Sequence, residues 1–192
     1  MAWGCLAAFG LSTVAAFAVA GPDLLRERAA PGPGVDRGDV ALATLGFLGL
    51  YPGTLVVAGL DAGRSLAEPA LPVGFQLLAL AVFVLGYAFA LWAIRANPFF
   101  ATFVRIQSDR AHRVIDAGPY RWVRHPGYAG TLVAHAALPL ALGSFRALAP
   151  ALVGILFFAL RTAREDRFLA EHLTGYSDYR ARVRWRLIPG VW

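Results

Sequence analysis

The sequence predicts an all-α integral membrane protein with about five transmembrane helices. Its 192 residues are 58% hydrophobic and only 16% charged, whereas soluble domains are about 45–50% apolar. The apolar residues also form long uncharged runs, and about 20 consecutive apolar residues are enough to cross a bilayer as a helix. Composition and patterning therefore agree on a membrane protein.

The N-terminal half, residues 1–94, is expected to contribute three transmembrane helices. Residues 1–22 carry no charged side chain and predict the first of them. Ala18-Val19-Ala20 would also suit the cleavage site of a signal peptide. The absence of a basic residue ahead of the apolar run favours a retained helix over a cleaved signal.

The next two spans follow a stretch rich in proline and charge. Residues 21–39 are expected to be a loop. Residues 40–60 then predict the second span, with a kink at Pro52. Residues 73–94 are also uncharged and predict the third and clearest span.

The C-terminal half, residues 95–192, is expected to hold two further spans and the functional region. Residues 125–145 are free of acidic and arginine side chains and predict the fourth span. Residues 147–160 are short for a crossing. A fifth helix is therefore expected to continue through Arg161 and Glu165, to tilt, or to hold those charges at the interface.

The basic residues indicate how the chain is oriented, and all 18 are arginines. With five spans, 16 of them fall on one side, while Arg64 and Arg146 fall on the other. The positive-inside rule then predicts an outer N-terminus and a cytoplasmic C-terminus. Because the arginines flank apolar runs and no recognition motif is present, membrane lipids are the expected partners and nucleic acid is not.

The most unusual sequence lies between two apolar runs and reads Gly118-Pro119-Tyr120-Arg121-Trp122-Val123-Arg124-His125-Pro126-Gly127-Tyr128-Ala129-Gly130. Pro126 favours an extended His125 and suits the first turn of a helix. The turn is expected to display the His125 ring and free backbone amides at a positive helix end, which binds anionic ligand groups. The aromatic residues alone would suit a membrane-interface belt, but a belt does not explain the Arg-His-Pro sequence.

Other polar residues are less specific. Arg161 and Glu165, four apart, would share a helix face and on their own suit a helix-end ion pair. The four histidines show no ligand spacing and one cysteine cannot build a zinc site, so no metal is expected. Gly32-Pro33-Gly34 is not a dinucleotide-binding loop, because no strand precedes it and the third glycine of that motif is absent.

Taken together, about residues 95–192 resemble the isoprenylcysteine carboxyl methyltransferase family, with its broad bacterial branch and the related phospholipid N-methyltransferases. The resemblance is carried by Asn97-Pro98-Phe99-Phe100, residues 107–115, the block 118–128, Glu165-Asp166, Gly175-Tyr176, Tyr179 and Ile188-Pro189-Gly190. Asp166 is a departure, because the family pattern has a second glutamate there. The first three spans carry no matching motif.

The resemblance implies a multi-pass enzyme of a bacterial inner membrane that uses S-adenosylmethionine and has no Rossmann domain. A cytosol-facing pocket formed by the last two helices would hold the cofactor, and a lipophilic small molecule or lipid would enter from the bilayer. Arg161 and Glu165 would be catalytic, with Arg161 binding the substrate. By position, the cofactor-binding residues would be Gln107, His112, Arg113, Val114, Ile115, Tyr120, His125, Pro126, Gly127, Tyr128 and Glu165.

The chemistry of these side chains agrees with that role. Glu165 can accept hydrogen bonds from an ammonium or a ribose hydroxyl, and Val114 and Ile115 can pack on adenine. A carboxylate acceptor needs no general base, and Arg161 would orient it, ideally through two hydrogen bonds. Carboxyl O-methylation is therefore favoured, whereas an amine acceptor would need Glu165 or His125 as a base.

Two other functions stay open at this point. One is an NADPH-dependent membrane reductase of the sterol and steroid type, whose C-terminal region is distantly similar. The other is a non-enzymatic membrane scaffold, in which the arginines would serve membrane topology alone.

Overall fold

The computed structural model describes residues 2–30, 33–35, 37–64 and 71–192. Within these ranges the chain is all-helical and forms no β-strand, as predicted. The α-helices are α1 (Ala2–Val19), α2 (Pro22–Ala29), α3 (Arg37–Leu48), α4 (Thr54–Arg64), α5 (Val73–Ala96), α6 (Pro126–Ala141), α7 (Leu148–His172) and α8 (Tyr176–Arg182). A π-helical turn (Gly49–Gly53) joins α3 to α4, and short 3₁₀ turns cover Ser108–Arg110 and Gly118–Arg121.

The prediction that residues 21–39 form only a loop is wrong, because α2 lies within them. Pro22 occupies the first helical turn, where its missing N–H costs nothing. Asp23 in the first turn and Arg26 and Arg28 in the last turn complement the helix dipole. The helix is only eight residues long, and it is held by tertiary contacts as well as by its own sequence.

The second predicted span departs from α-helical geometry where Pro52 was expected to kink it. The π-helical turn Gly49–Gly53 contains this proline, which cannot donate a backbone hydrogen bond. The Thr54 hydroxyl donates to the carbonyl oxygen of Gly49 at 2.9 Å and satisfies an acceptor that the irregular turn exposes.

Two of the described helical segments, Gly38–Ala62 and Val73–Ala96, are long and apolar enough to cross a membrane. Helix α7 continues through Arg161 and Glu165, the first of the three alternatives expected for it, and runs for 25 residues from Leu148 to His172. Helix α6 has 16 residues and is therefore about 24 Å long, less than a bilayer core of ~30 Å. Five crossings stay a prediction.

Glycines bring the site-bearing helices close to their neighbours. A Cβ atom on Gly86 of α5 would lie 2.8 Å from the carbonyl oxygen of Gly130 on α6. A Cβ atom on Gly154 of α7 would lie 2.6 Å from the backbone nitrogen of Leu50. Small residues of this kind let helix backbones approach closely. Helix α6 is thus fixed on α5, and α7 is fixed on the segment that contains the π-helical turn.

Buried charges cluster at the two ends of the helical bundle. At one end, Arg105 pairs with Glu27 of α2 (Nη2–Oε2, 2.6 Å) and Arg161 pairs with Asp39 of α3 (Nε–Oδ1, 2.7 Å). At the other end, Ser144 donates to Asp61 (2.7 Å). The segments that the arginine distribution assigns to one side of the membrane therefore meet at one end of the bundle.

Candidate active site

A cavity, here called the polar cavity, lies at the end of the bundle that carries α2, between the segment 97–115, the C-terminal part of α7 and the beginning of α8. The empty volume within its walls is about 710 Å³, and this volume includes space that is open to solvent. Its wall is formed by Asn97, Phe99, Phe100, Ala101, Phe103, Val104, Arg105, Gln107, His112, Arg113, Val114, Ile115, Tyr120, Arg124, His125, Tyr128, Arg161, Glu165, Leu169, Leu173, Tyr176 and Tyr179.

Most of the residues singled out from the sequence meet in this wall. The structure brings together Gln107, His112, Arg113, Val114, Ile115, Tyr120, His125, Tyr128, Arg161 and Glu165. It does not bring Pro126 and Gly127 to the wall. Pro126 begins α6, and a Cβ atom on Gly127 would lie 2.5 Å from the Phe100 ring. Both residues are buried in the turn behind the cavity, and the Phe100 ring lies against Gly127.

Tyr128 connects the two charged residues that were expected to act in catalysis. Its hydroxyl donates to Oε2 of Glu165 at 2.7 Å and accepts from Nη1 of Arg161 at 2.7 Å. The ring also stacks on the His125 ring, with centroids 5.9 Å apart and an angle of 7°. Arg161 and Glu165 are thus joined through a tyrosine, and not through the direct ion pair that their spacing suggests.

The guanidinium of Arg161 is almost fully used by the protein itself. Nε and Nη2 donate to the two carboxylate oxygens of Asp39 (2.7 and 3.1 Å), and Nη2 also donates to the carbonyl oxygen of Thr102 (2.6 Å). With Nη1 bonded to Tyr128, one of the five N–H groups is left. The expectation that Arg161 binds an acceptor carboxylate through two hydrogen bonds does not fit this arrangement, because Asp39 occupies that position.

Asp166 lies behind the cavity and is fully buried. It accepts hydrogen bonds from Nε of Arg124 (2.6 Å), Nε of Arg186 (2.9 Å) and the hydroxyl of Tyr176 (3.0 Å). Nε2 of His125 lies 3.3 Å from the same carboxylate. Since a carboxylate only accepts, Nε2 carries the proton in that contact. Asp166 therefore ties α7 to the residues before α6, to α8 and to the C-terminal segment.

The expectation of free backbone amides at the start of α6 is wrong for two of them. The Arg124 amide donates to the carbonyl oxygen of Trp185, and the His125 amide donates to that of Arg186, both at 2.9 Å. The C-terminal segment therefore occupies the positions in which a ligand anion was expected. The His125 side chain still lines the polar cavity.

A tight turn presents Gln107 and His112 to the cavity. Ala111 between them has φ 51°, a left-handed conformation that is uncommon outside glycine. The turn lets the His112 amide donate to the Gln107 carbonyl (3.2 Å), while Nδ1 of His112 accepts from the Gln107 amide (3.3 Å). The His112 ring packs on Phe99 with centroids 4.6 Å apart. Burial, with the charges of Arg105 and Arg110, lowers the pKa of His112 to about 4, so the ring is neutral at pH 7 and Nε2 carries its hydrogen.

Several residues important to the site were missed from the sequence. Asp39 was assigned to the edge of a loop and Asp166 had no defined role, yet each pairs with a buried arginine. Tyr176 and Tyr179 also line the cavity. The sequence did contain one signal for Asp39 and Asp166. A single acidic residue beside an apolar run is costly unless a cation neutralises it, so each predicts a basic partner.

A second cavity, here called the apolar cavity, is lined mainly by residues of the long helices. It shares Phe100, Ala101, Phe103, Tyr128 and Arg161 with the polar cavity. Its other lining residues are Ala16, Arg28, Ala43, Thr44, Phe47, Tyr51, Tyr87, Ala90, Leu91, Ile94, Thr102, Thr131 and Phe158. A short wall of side chains thus separates a polar compartment from a mainly apolar one.

Residues 78–171 match the model of the Isoprenylcysteine carboxyl methyltransferase (ICMT) family. The match runs from α5 to the end of α7 and includes the wall residues Tyr128 and Arg161 as well as Glu165. This match confirms, over those residues, the resemblance seen in the sequence, and the family indicates a membrane methyltransferase. No curated protein matches the chain significantly.

Proposed function

We propose that this protein is an S-adenosylmethionine-dependent methyltransferase that methylates the carboxylate of a lipophilic acceptor at the cytosolic face of the membrane. The observation that carries the proposal is the wall shared by the two cavities, which contains Phe100, Tyr128 and Arg161. A polar donor on one side and an apolar acceptor on the other would meet at these side chains. Orientation of two reactants can contribute about 7–11 kcal/mol to catalysis.

The lining of the polar cavity fits S-adenosylmethionine. In the described part of the chain, Oε1 of Glu165 has no hydrogen-bond partner, so it can accept from an ammonium or from ribose hydroxyls. The rings of Phe99 and His112, which pack at an angle of 31°, offer with Val114 an apolar surface on which a purine can pack. When bound, S-adenosylmethionine supplies a methyl carbon activated by its sulfonium, and transfer to a carboxylate oxygen requires no proton removal.

The residues of the shared wall act by positioning. Asp39 fixes the guanidinium of Arg161, and Arg161 in turn orients the hydroxyl of Tyr128 toward Glu165. These bonds link α3, α6 and α7 across the shared wall. The remaining N–H group of Arg161 can give an acceptor one hydrogen bond.

Methyl transfer tests the proposal directly. The purified protein in nanodiscs is incubated with S-adenosylmethionine labelled in its methyl group and with N-acetyl-S-farnesylcysteine. We expect label in a product that releases methanol on treatment with base, as a methyl ester does. The variant Glu171→Gln, exposed on the same helix as Glu165, should retain the rate. Label that resists base, or NADPH-dependent reduction of a sterol without methyl transfer, would contradict carboxyl O-methylation.

A further inference from the structure

Arg28, at the end of α2, lines the apolar cavity and has no counter-charge in the described part of the chain. Its Nε is buried without a hydrogen-bond partner. Its Nη2 makes one long hydrogen bond, 3.4 Å, to the carbonyl oxygen of Phe100. The guanidinium carbon lies 5.6 Å from the centroid of the Phe100 ring. An unpaired cation beside an apolar cavity is costly, which indicates that a ligand completes the site.

The other arginines buried around the two cavities are neutralised by the protein. Arg105 pairs with Glu27, Arg124 with Asp166 and Arg161 with Asp39. Arg161 is the other arginine in the wall of the apolar cavity, and its charge is cancelled. The lining of this cavity therefore carries one uncompensated positive charge, at Arg28.

The structure assigns Arg28 as the residue that binds the carboxylate of the acceptor, whose hydrocarbon chain would occupy the apolar cavity. The guanidinium donors of Arg28 suit a carboxylate, and one positive charge matches a monoanion. Phe100 beside it lines both cavities, so a carboxylate bound there would lie next to the shared wall. This assignment rests on the proposed function, because only that function makes the bound acid a methyl acceptor. Binding of the acid to Arg28 does not itself require the cofactor.

The assignment also divides the roles of two arginines. Arg161 holds the wall together through Asp39 and has one N–H group left. Arg28 has an unpaired Nε–H and unused hydrogens on its Nη atoms. Arg28 is therefore the specificity-determining residue for an acid, and a methyl ester, which carries no charge, should bind less tightly.

Binding without cofactor tests the assignment. The dissociation constants of N-acetyl-S-farnesylcysteine and of its methyl ester are measured on the protein in nanodiscs by equilibrium dialysis. We expect the wild type to bind the acid at least tenfold more tightly than the ester, and Arg28→Met to bind both within about twofold. Arg28→Lys should retain part of the preference. Arg26→Met is the matched control, because Arg26 lies on the same helix, is exposed and pairs with Asp23.

A thermal unfolding series separates a binding role from a structural one. Without ligand, Arg28→Met should melt no lower than the wild type, because it removes an unpaired charge, and the acid should no longer stabilise it. Equal wild-type affinity for acid and ester, an acid preference kept by Arg28→Met, or a lower melting temperature of that variant without ligand would overturn the assignment. A separate calorimetric titration with S-adenosylhomocysteine reports on the proposed function, so failure of either can be recognised by itself.

Discussion

The polar cavity and the apolar cavity share a wall, yet they are held in place by different interactions. The polar cavity is built largely from segments outside the long helices, and buried carboxylates such as Asp166 fix those segments. The apolar cavity lies among helices that approach each other through glycines such as Gly86 and Gly154. Charge thus positions the compartment for a polar ligand, and close helix packing positions the one for an apolar ligand. Mutations should therefore affect the two cavities separately.

Loss of Asp166 should have the largest effect and should fall on the polar cavity. Asp166→Ala leaves Arg124 and Arg186 without their carboxylate, and removing one partner of a buried ion pair costs about 3–5 kcal/mol. We expect a clear decrease in melting temperature in detergent. Asp178→Ala, an exposed acidic residue on α8, should change it little. An unchanged melting temperature for Asp166→Ala would show that the carboxylate does not hold these segments together.

The pH dependence should also come from the polar cavity, through His112. Its pKa is about 4 in the folded protein and about 6.5 in the unfolded chain. Between these values the unfolded state binds more protons, so the free energy of unfolding falls as pH decreases from 6.5 towards 4. Allowing for partial exposure of the ring, the loss at pH 5 should be about 1–2 kcal/mol.

The matched variant for this effect is His112→Gln, which keeps a polar side chain but does not titrate. Between pH 4.5 and 8, the melting temperature of the wild type should change more with pH than that of His112→Gln. Parallel pH profiles for the two proteins would exclude His112 as the source.

Replacing Glu165 should affect cofactor binding and leave the apolar cavity intact. Glu165→Gln removes the negative charge at a residue that accepts from Tyr128 and faces the polar cavity. We expect binding of S-adenosylhomocysteine to weaken about tenfold, which corresponds to about 1.4 kcal/mol. Calorimetry measures this, with Glu171→Gln as control. If Glu165→Gln bound N-acetyl-S-farnesylcysteine more weakly but the cofactor normally, the roles given to the two cavities would be reversed.

The smallest of these effects should come from a substitution confined to the apolar cavity, which should weaken acceptor binding and leave cofactor binding unchanged. Leu91→Trp places a larger ring in its lining. We expect acceptor affinity to fall about fivefold, equivalent to about 1 kcal/mol, with cofactor affinity unchanged within twofold. Leu85→Trp, on an exposed part of the same helix, should change neither. Equal losses of both affinities in Leu91→Trp would mean that the two cavities are one site.

The sequence predicted local features well and long-range pairing poorly. The helical class, the irregular turn around Pro52 and the start of α6 at Pro126 follow from composition and proline chemistry. Asp39 and Arg161 are 122 positions apart, and nothing local in the sequence shows that these two charges meet. The same holds for Arg186, whose carbonyl oxygen accepts a hydrogen bond from the His125 amide. Ion pairs between distant segments decide which donors remain for a ligand, and only the fold reveals them.

The central claim is that the polar cavity binds S-adenosylmethionine, and isothermal titration of the wild-type protein in nanodiscs tests it most directly. We predict saturable binding of S-adenosylhomocysteine with one site per chain and no saturable binding of NADPH. At a ligand concentration 100-fold above the dissociation constant, the same ligand should stabilise the protein by about 2.7 kcal/mol. Saturable binding of NADPH, or the absence of S-adenosylhomocysteine binding by folded protein, would contradict the account.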